Sequence, residues 1–186
     1  MNPDQPQVSV IGLGNVFLGD DGFGPLSVEI FRCDYACGSN VEVLDLGTPG
    51  LDLAPYLYGR DLVVIIDAVH SEMPTAQVCI FSEEDFVSTS FRLRITGHDP
   101  GLWDTLAHLR LAGHAPSELI VVGVNPESCG FSEPLSERML RIAHETAATV
   151  ADLLSEHGAP CCRRIPAATP NLWWLPLSSL KPAVQA

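Results

Sequence analysis

Two adjacent carboxylates, Asp20 and Asp21, follow a short apolar run; a third, Asp67, closes another such run, and His98 lies in the loop Thr96-Gly97-His98-Asp99-Pro100. Carboxylate oxygens with one imidazole form the mixed shell that holds zinc, manganese, iron or nickel while leaving positions open to water or substrate. Asp67 is the most telling member, because a charge ending an apolar strand must stay solvated, be paired or bind a cation. Ordinary duties compete with this reading. Asp67 can cap or bond a loop, and Asp20 and Asp21 suit a helix N-terminus as dipole partners. His98 can bond a backbone group, and His70, three residues past Asp67, is a rival ligand. His108, His114, His144 and His157 fall on or beside helical stretches, where surface or packing roles are expected.

Such residues act together only if the chain gathers them. Gln7 to Leu13 reads as a strand, and the apolar positions Leu26, Val28, Ile30 and Phe31 from Phe23 onward suit a buried helix. Val41 to Leu46 is a second strand, Leu51 to Leu57 a short helix, and Leu62 to Ile66 a third strand, apolar throughout as in a parallel sheet covered on both faces. The connection after Asp67 is too short for a crossover helix, so Gln77 to Phe81 is expected to run antiparallel. Gly101 to Leu111 then reads as a helix, Glu118 to Val124 as a buried strand, and Pro134 to His157 as a long helix. In an open sheet of this kind ligands bind outside the carboxyl ends of the parallel strands, where Asp20, Asp21, Asp67 and His98 all fall.

The chain has 186 residues, 46% hydrophobic, which suits one α/β domain over residues 1–157 followed by a Pro- and Trp-rich extension over 158–186. That extension carries five prolines, Arg163, Arg164, Lys181 and the pair Trp173-Trp174. It reads either as a segment burying its tryptophans against the domain or as a partner-docking tail. A formal charge of −13 repels nucleic acid and anionic membrane. With no signal pattern at Met1 to Gln7 and no apolar run long enough to span a bilayer, a cytoplasmic location is expected.

The six cysteines are expected to be reduced, since a core-rich chain needs no disulfide framework, and neither Cys33-x3-Cys37 nor Cys161-Cys162 finds a second half-site for zinc. The glycines Gly12, Gly14 and Gly19 miss the dinucleotide spacing, and aspartates at the phosphate end have the wrong sign. Neither a G-x-S-x-G elbow nor an H-E-x-x-H helix occurs.

The stretch Gly12-Leu-Gly-Asn15-Val-Phe-Leu-Gly-Asp20-Asp21-Gly22-Phe-Gly24-Pro25 resembles the opening signature of the hydrogenase maturation proteases, which process the large subunit of nickel-iron hydrogenases. Leu62 to Ala68, His98 before a Leu-rich helix, and Val122-Gly123-Val124-Asn125-Pro126-Glu127 extend the likeness in order from Val8 to about Leu154. The resemblance implies a three-layer α/β/α, phosphorylase/hydrolase-like fold around a twisted five-stranded mixed, mostly parallel sheet. It further implies that Asp21 (a Glu in many members), Asp67 and His98 are the catalytic, metal-binding residues of an endopeptidase. They would grip nickel already inserted in the large-subunit precursor, with another divalent metal able to substitute, before a C-terminal peptide is removed. Asn15, Gly22 and Gly24 would shape the loop. A monomer is expected, and the competing reading is a non-catalytic metal-dependent module or chaperone for the same subunit. The tail after Gly158 has no counterpart in the family pattern.

Overall fold

Every residue of β1 (Val8–Leu13) is buried, because the strand lies inside a sheet with helices on both faces. The computed structural model describes residues 5–49, 53–70, 74–87, 94–95 and 99–175. After β1 come a 3-10 turn (Gly19–Gly22), α1 (Phe23–Asp34), the short β2 (Tyr35–Ala36), β3 (Val41–Gly47) and α2 (Ala54–Leu57). β4 (Leu62–His70), β5 (Val78–Ser82), α3 (Glu83–Val87) and β6 (Arg94–Ile95) follow. α4 (Asp99–Leu111), β7 (Glu118–Val124), α5 (Glu137–Glu156) and β8 (Cys162–Arg163) complete the order.

The main sheet runs β3-β1-β4-β7-β5. β3, β1, β4 and β7 are parallel, and β5 is antiparallel to β7 at the edge, as the short connection after β4 requires. Strand alternation divides the core into two layers. Val64 and Ile66 of β4 pack with Phe31 of α1 and Met139 and Val150 of α5. Val63 and Ile65 face the other way, onto Leu57 of α2 and Leu102 and Leu106 of α4. Each such fully buried side chain contributes roughly 1.5–3 kcal/mol.

Two boundaries and the state of the cysteines differ from expectation. β4 does not stop at Ile66 but continues to His70, because β7 pairs with Asp67 and Ala68 and β6 then takes Val69 and His70. Asp67 therefore lies inside a strand, not at its end. α5 begins at Glu137 rather than Pro134, since Ser136 is extended and its hydroxyl caps the helix by accepting from the Met139 N–H at 3.3 Å. The thiols are not all reduced: Cys37 and Cys161 form a disulfide across 124 residues of sequence.

That bond sits where β8 pairs with β2, at the end of α1. Beyond it the chain runs back along α1, with Ala168 N–H donating to Cys33 O at 3.0 Å and Asn171 N–H to Glu29 Oε1 at 2.8 Å. Leu172 is buried in the core layer beneath. Among the described residues no helix is long and apolar enough to cross a membrane.

Candidate functional site

The chain leaves β1 toward β3 on one side of the sheet, whereas β4 is followed by strands on the other. Such a switch opens a crevice at the carboxyl ends of β1 and β4. Pairing of β1 with β4 stops at Gly12 opposite Ile66, and Asp67 is the next residue along β4. The 3-10 turn that carries Asp21 packs against β4. Asp21 and Asp67 thus come from either side of the opening, 4% and 0% exposed.

Local backbone geometry sets the position of Asp21. Gly14 has φ +135°, and a Cβ there would lie 1.8 Å from the carbonyl oxygen of Asp21. Only glycine allows that conformation and that approach. The chain then turns back, with Leu18 N–H donating to Asn15 O at 3.0 Å and Asp21 N–H to Leu18 O at 3.1 Å. Asn15 N–H donates to Asp21 Oδ2 at 2.8 Å, and Asn15 Oδ1 accepts from Phe17 N–H at 3.0 Å. Gly24 brings α1 onto the same strand ends: a Cβ there would meet Leu13 O at 2.1 Å and Ile66 O at 2.4 Å. On β4, Asp67 Oδ1 accepts from Ala68 N–H at 2.7 Å.

Asp20 and Asp21, indistinguishable in the sequence, have different surroundings. Asp20 is 1% exposed and accepts from Glu127 N–H at 2.8 Å, Ser128 N–H at 3.4 Å and Ser136 N–H at 2.8 Å. Its own N–H donates to Ser128 O at 2.9 Å. It clasps the loop between β7 and α5, including the cap of α5, and this work occupies both carboxylate oxygens. Partners more than a hundred residues away leave no local signal in the sequence.

Cys129, in that same loop, was not among the candidates. Burial pushes its thiol up to about 11, with the carboxylates of Asp21, Asp20 and Asp67 adding to the rise. One thiol therefore senses both site aspartates and stays protonated at neutral pH. Its position before Gly130 carries no motif that could have flagged it.

His98 lies outside the described residues. Among the described residues no three His, Cys, Asp or Glu side chains form a metal cage by themselves. His70 is three positions beyond Asp67 on β4, on the opposite face of the sheet, and exposed. His108, His114 and His144 are exposed as expected; His144 pairs with Asp34 at 3.0 Å and the His114 ring packs on Tyr58. His157 Nδ1 bonds Leu153 O at 2.7 Å, and Nε2 lies 3.2 Å from Glu118. None of these four joins the crevice.

Residues 27–153 match a family model described as hydrogenase maturation protease. The hydrogenase 2 maturation protease of Escherichia coli (strain K12) is 35% identical over 122 residues, 66% of this chain and 74% of the relative. The hydrogenase expression/formation protein HoxM of Azotobacter vinelandii is 30% identical over 161 residues, covering 86% and 77% respectively. Among solved structures, the hydrogenase maturating endopeptidase HybD from E. coli aligns with a TM-score of 0.77 at 31% identity, over 87% of this chain and 99% of that one. HybD from Thermococcus kodakarensis, a nickel-iron hydrogenase maturation protease, aligns with a TM-score of 0.64 at 26% identity, over 79% and 98%.

Proposed function

The chain belongs to the hydrogenase maturation protease family, and from that premise we propose that it removes the C-terminal peptide of a nickel-loaded hydrogenase large-subunit precursor. Asp21 and Asp67, with His98 added from the sequence likeness, grip the nickel that the substrate brings. The observation that carries this reading is the burial of Asp21 and Asp67 on either side of one sheet crevice.

The donor set suits that ion. Two carboxylates and an imidazole leave coordination positions for ligands that the precursor itself supplies. Nickel bound there supplies Lewis acidity that polarises a carbonyl or a water. The chain's own residues orient and select. Asn15 N–H and Ala68 N–H fix the two carboxylates by hydrogen bonds, so little rearrangement accompanies docking. A precursor without its metal presents no cation for the two carboxylates to ligate. The ion therefore acts as a mark of readiness on the substrate. Action as a monomer in the cytoplasm completes the proposal; a chain with 23 acids against 10 Lys plus Arg resists self-association.

Mass spectrometry of the precursor tests this. Purified chain is expected to trim the nickel-loaded precursor and leave the metal-free one intact. Equal trimming of both overturns the nickel requirement, and trimming of neither overturns the protease reading in favour of a binding module.

A further inference from the structure

The loop that positions Asp21 also presents Phe17, which is 57% exposed four residues before it. The tail beyond α5 brings Trp173, 69% exposed, against the Phe17 ring at a centroid distance of 6.3 Å. Phe17 O accepts from Ser132 N–H at 2.9 Å, next in the chain to Phe131, which is 81% exposed. Three large aromatics thus stand in water along the rim of the crevice. Leu111 and Ile165 are exposed apolar side chains too, but they stand singly and need no explanation.

The arrangement is held in place. The tail is fastened by the Cys37–Cys161 disulfide, by β8 on β2, by the Asn171 bond to Glu29 and by burial of Leu172. Trp174 packs against the core while Trp173 turns outward. A segment anchored at four points that exposes an indole beside a functional loop gains nothing in stability from that ring. The HybD structure from E. coli aligns over nearly all of its own length but only 87% of this chain, so this chain has material that HybD lacks.

We propose that Phe17, Phe131 and Trp173 form a docking rim for the large-subunit precursor, which meets it with an apolar patch fringed by basic residues. The inference rests on the processing role proposed above. The occupant follows from continuity with the crevice and from the chain's formal charge of −13, which favours a partner surface with basic residues. The rim is continuous with the crevice that receives the processed segment, and the adjoining loop and helix start carry the exposed acids Glu127, Glu133 and Glu137. Glu127 and Glu137 pair with Arg138 and Arg141, so the fringe is polar and mixed in sign, and an aromatic cluster inside such a fringe has the make-up of an interface core and its rim.

The experiment uses the full-length chain with Asp21 and Asp67 unchanged and measures binding to immobilised nickel-loaded precursor at a temperature where trimming is slow on the time scale of the measurement. Adding Phe17→Ala and Trp173→Ala together is expected to weaken binding by about tenfold or more, as loss of an aromatic anchor pair does. Leu111→Ala, at the opposite end of the sheet, is expected to leave binding unchanged. Trp173→Ala alone, which removes only an exposed ring, is expected to weaken it severalfold and keeps the test valid if the double change disturbs folding. Unchanged binding in both rim variants overturns the docking rim, even where the unmodified chain trims the precursor. Concentration-dependent self-association that the rim variants abolish would assign the rim to a second copy of this chain and also overturn it. If the unmodified chain neither binds nor trims the precursor, the processing role fails as well.

Discussion

Replacing Asp20 by alanine removes the carboxylate that joins the loop before α1 to the loop before α5. Two strong backbone hydrogen bonds, from Glu127 and Ser136 at 2.8 Å each, and a longer one from Ser128 are lost. Their donors would be left beside a 1% exposed position that water does not readily refill. A hydrogen bond to a charged group contributes about 1.5–3 kcal/mol, so the two short bonds alone imply a loss of about 3–6 kcal/mol. The negative charge near the first turn of α5 adds a smaller dipole contribution. Asp20→Asn keeps the volume but turns one acceptor into an N–H2 facing an N–H donor, so a loss of about 2 kcal/mol or more is expected there too. Urea unfolding with an unchanged m-value reads both quantities. A loss under about 1 kcal/mol for Asp20→Ala would refute the clasp, because no arrangement of three buried, charge-accepting bonds costs so little to remove. Asp21→Asn provides the contrast: processing is expected to fall while stability changes far less.

Gly24→Ala forces a methyl group into Leu13 O and Ile66 O, and should destabilise the fold by about 3 kcal/mol or more, seen as a lowered thermal midpoint. Cys37→Ser opens a loop of 124 residues, for which chain entropy allows up to about 5 kcal/mol; a loss of about 2–4 kcal/mol is expected in oxidising buffer and none in reducing buffer. In alkylation at pH 8 followed by mass spectrometry, exposed Cys162 should be labelled well before Cys129, whose pKa of about 11 leaves roughly one thiolate in a thousand. The Leu153 carbonyl, with Glu118 in support, raises the pKa of His157 above its ordinary 6.5. The stability that follows is present in full below that value and is lost as pH rises through the raised one. The urea midpoint should therefore fall across that window in the unmodified chain, and less in Glu118→Gln.

The sheet was legible because its information is local. β1, β4 and β7 are continuous apolar runs of a length that suits doubly buried strands, and the short connection after β4 dictated that β5 turn back. The place of Asp21 in the loop between β1 and α1 was legible from the same pattern, whereas Asp67, expected to end a strand, lies inside β4. What escaped depends on contacts between distant residues. The four-residue extension of β4 needed β6 and the end of β7 as partners. The pairing of Cys37 with Cys161 is one of many that six cysteines allow, and spacing does not choose among them. The tail lacks any periodicity because it is held by a disulfide, a two-residue strand pairing, single hydrogen bonds and scattered buried side chains, not by a repeating face.

Asp20 shows why adjacency in sequence hid a division of labour. Side chains on successive residues of a tight turn diverge, so two aspartates of identical chemistry face different neighbours. One is consumed by three backbone donors of the loop between β7 and α5. The other turns into the crevice, beside a thiol that also senses Asp67. The first steadies the second: Asp20 ties the turn that carries Asp21 to the neighbouring loop, in addition to the Leu18 and Asn15 bonds within the turn. Two buried carboxylates at one opening keep a fixed geometry only where the backbone carrying them is tied down. The rigid clasp and the charged opening are therefore one device. Its failure should be recognisable in Asp20 variants that still fold, as processing lost together with a changed reactivity of the Cys129 thiol.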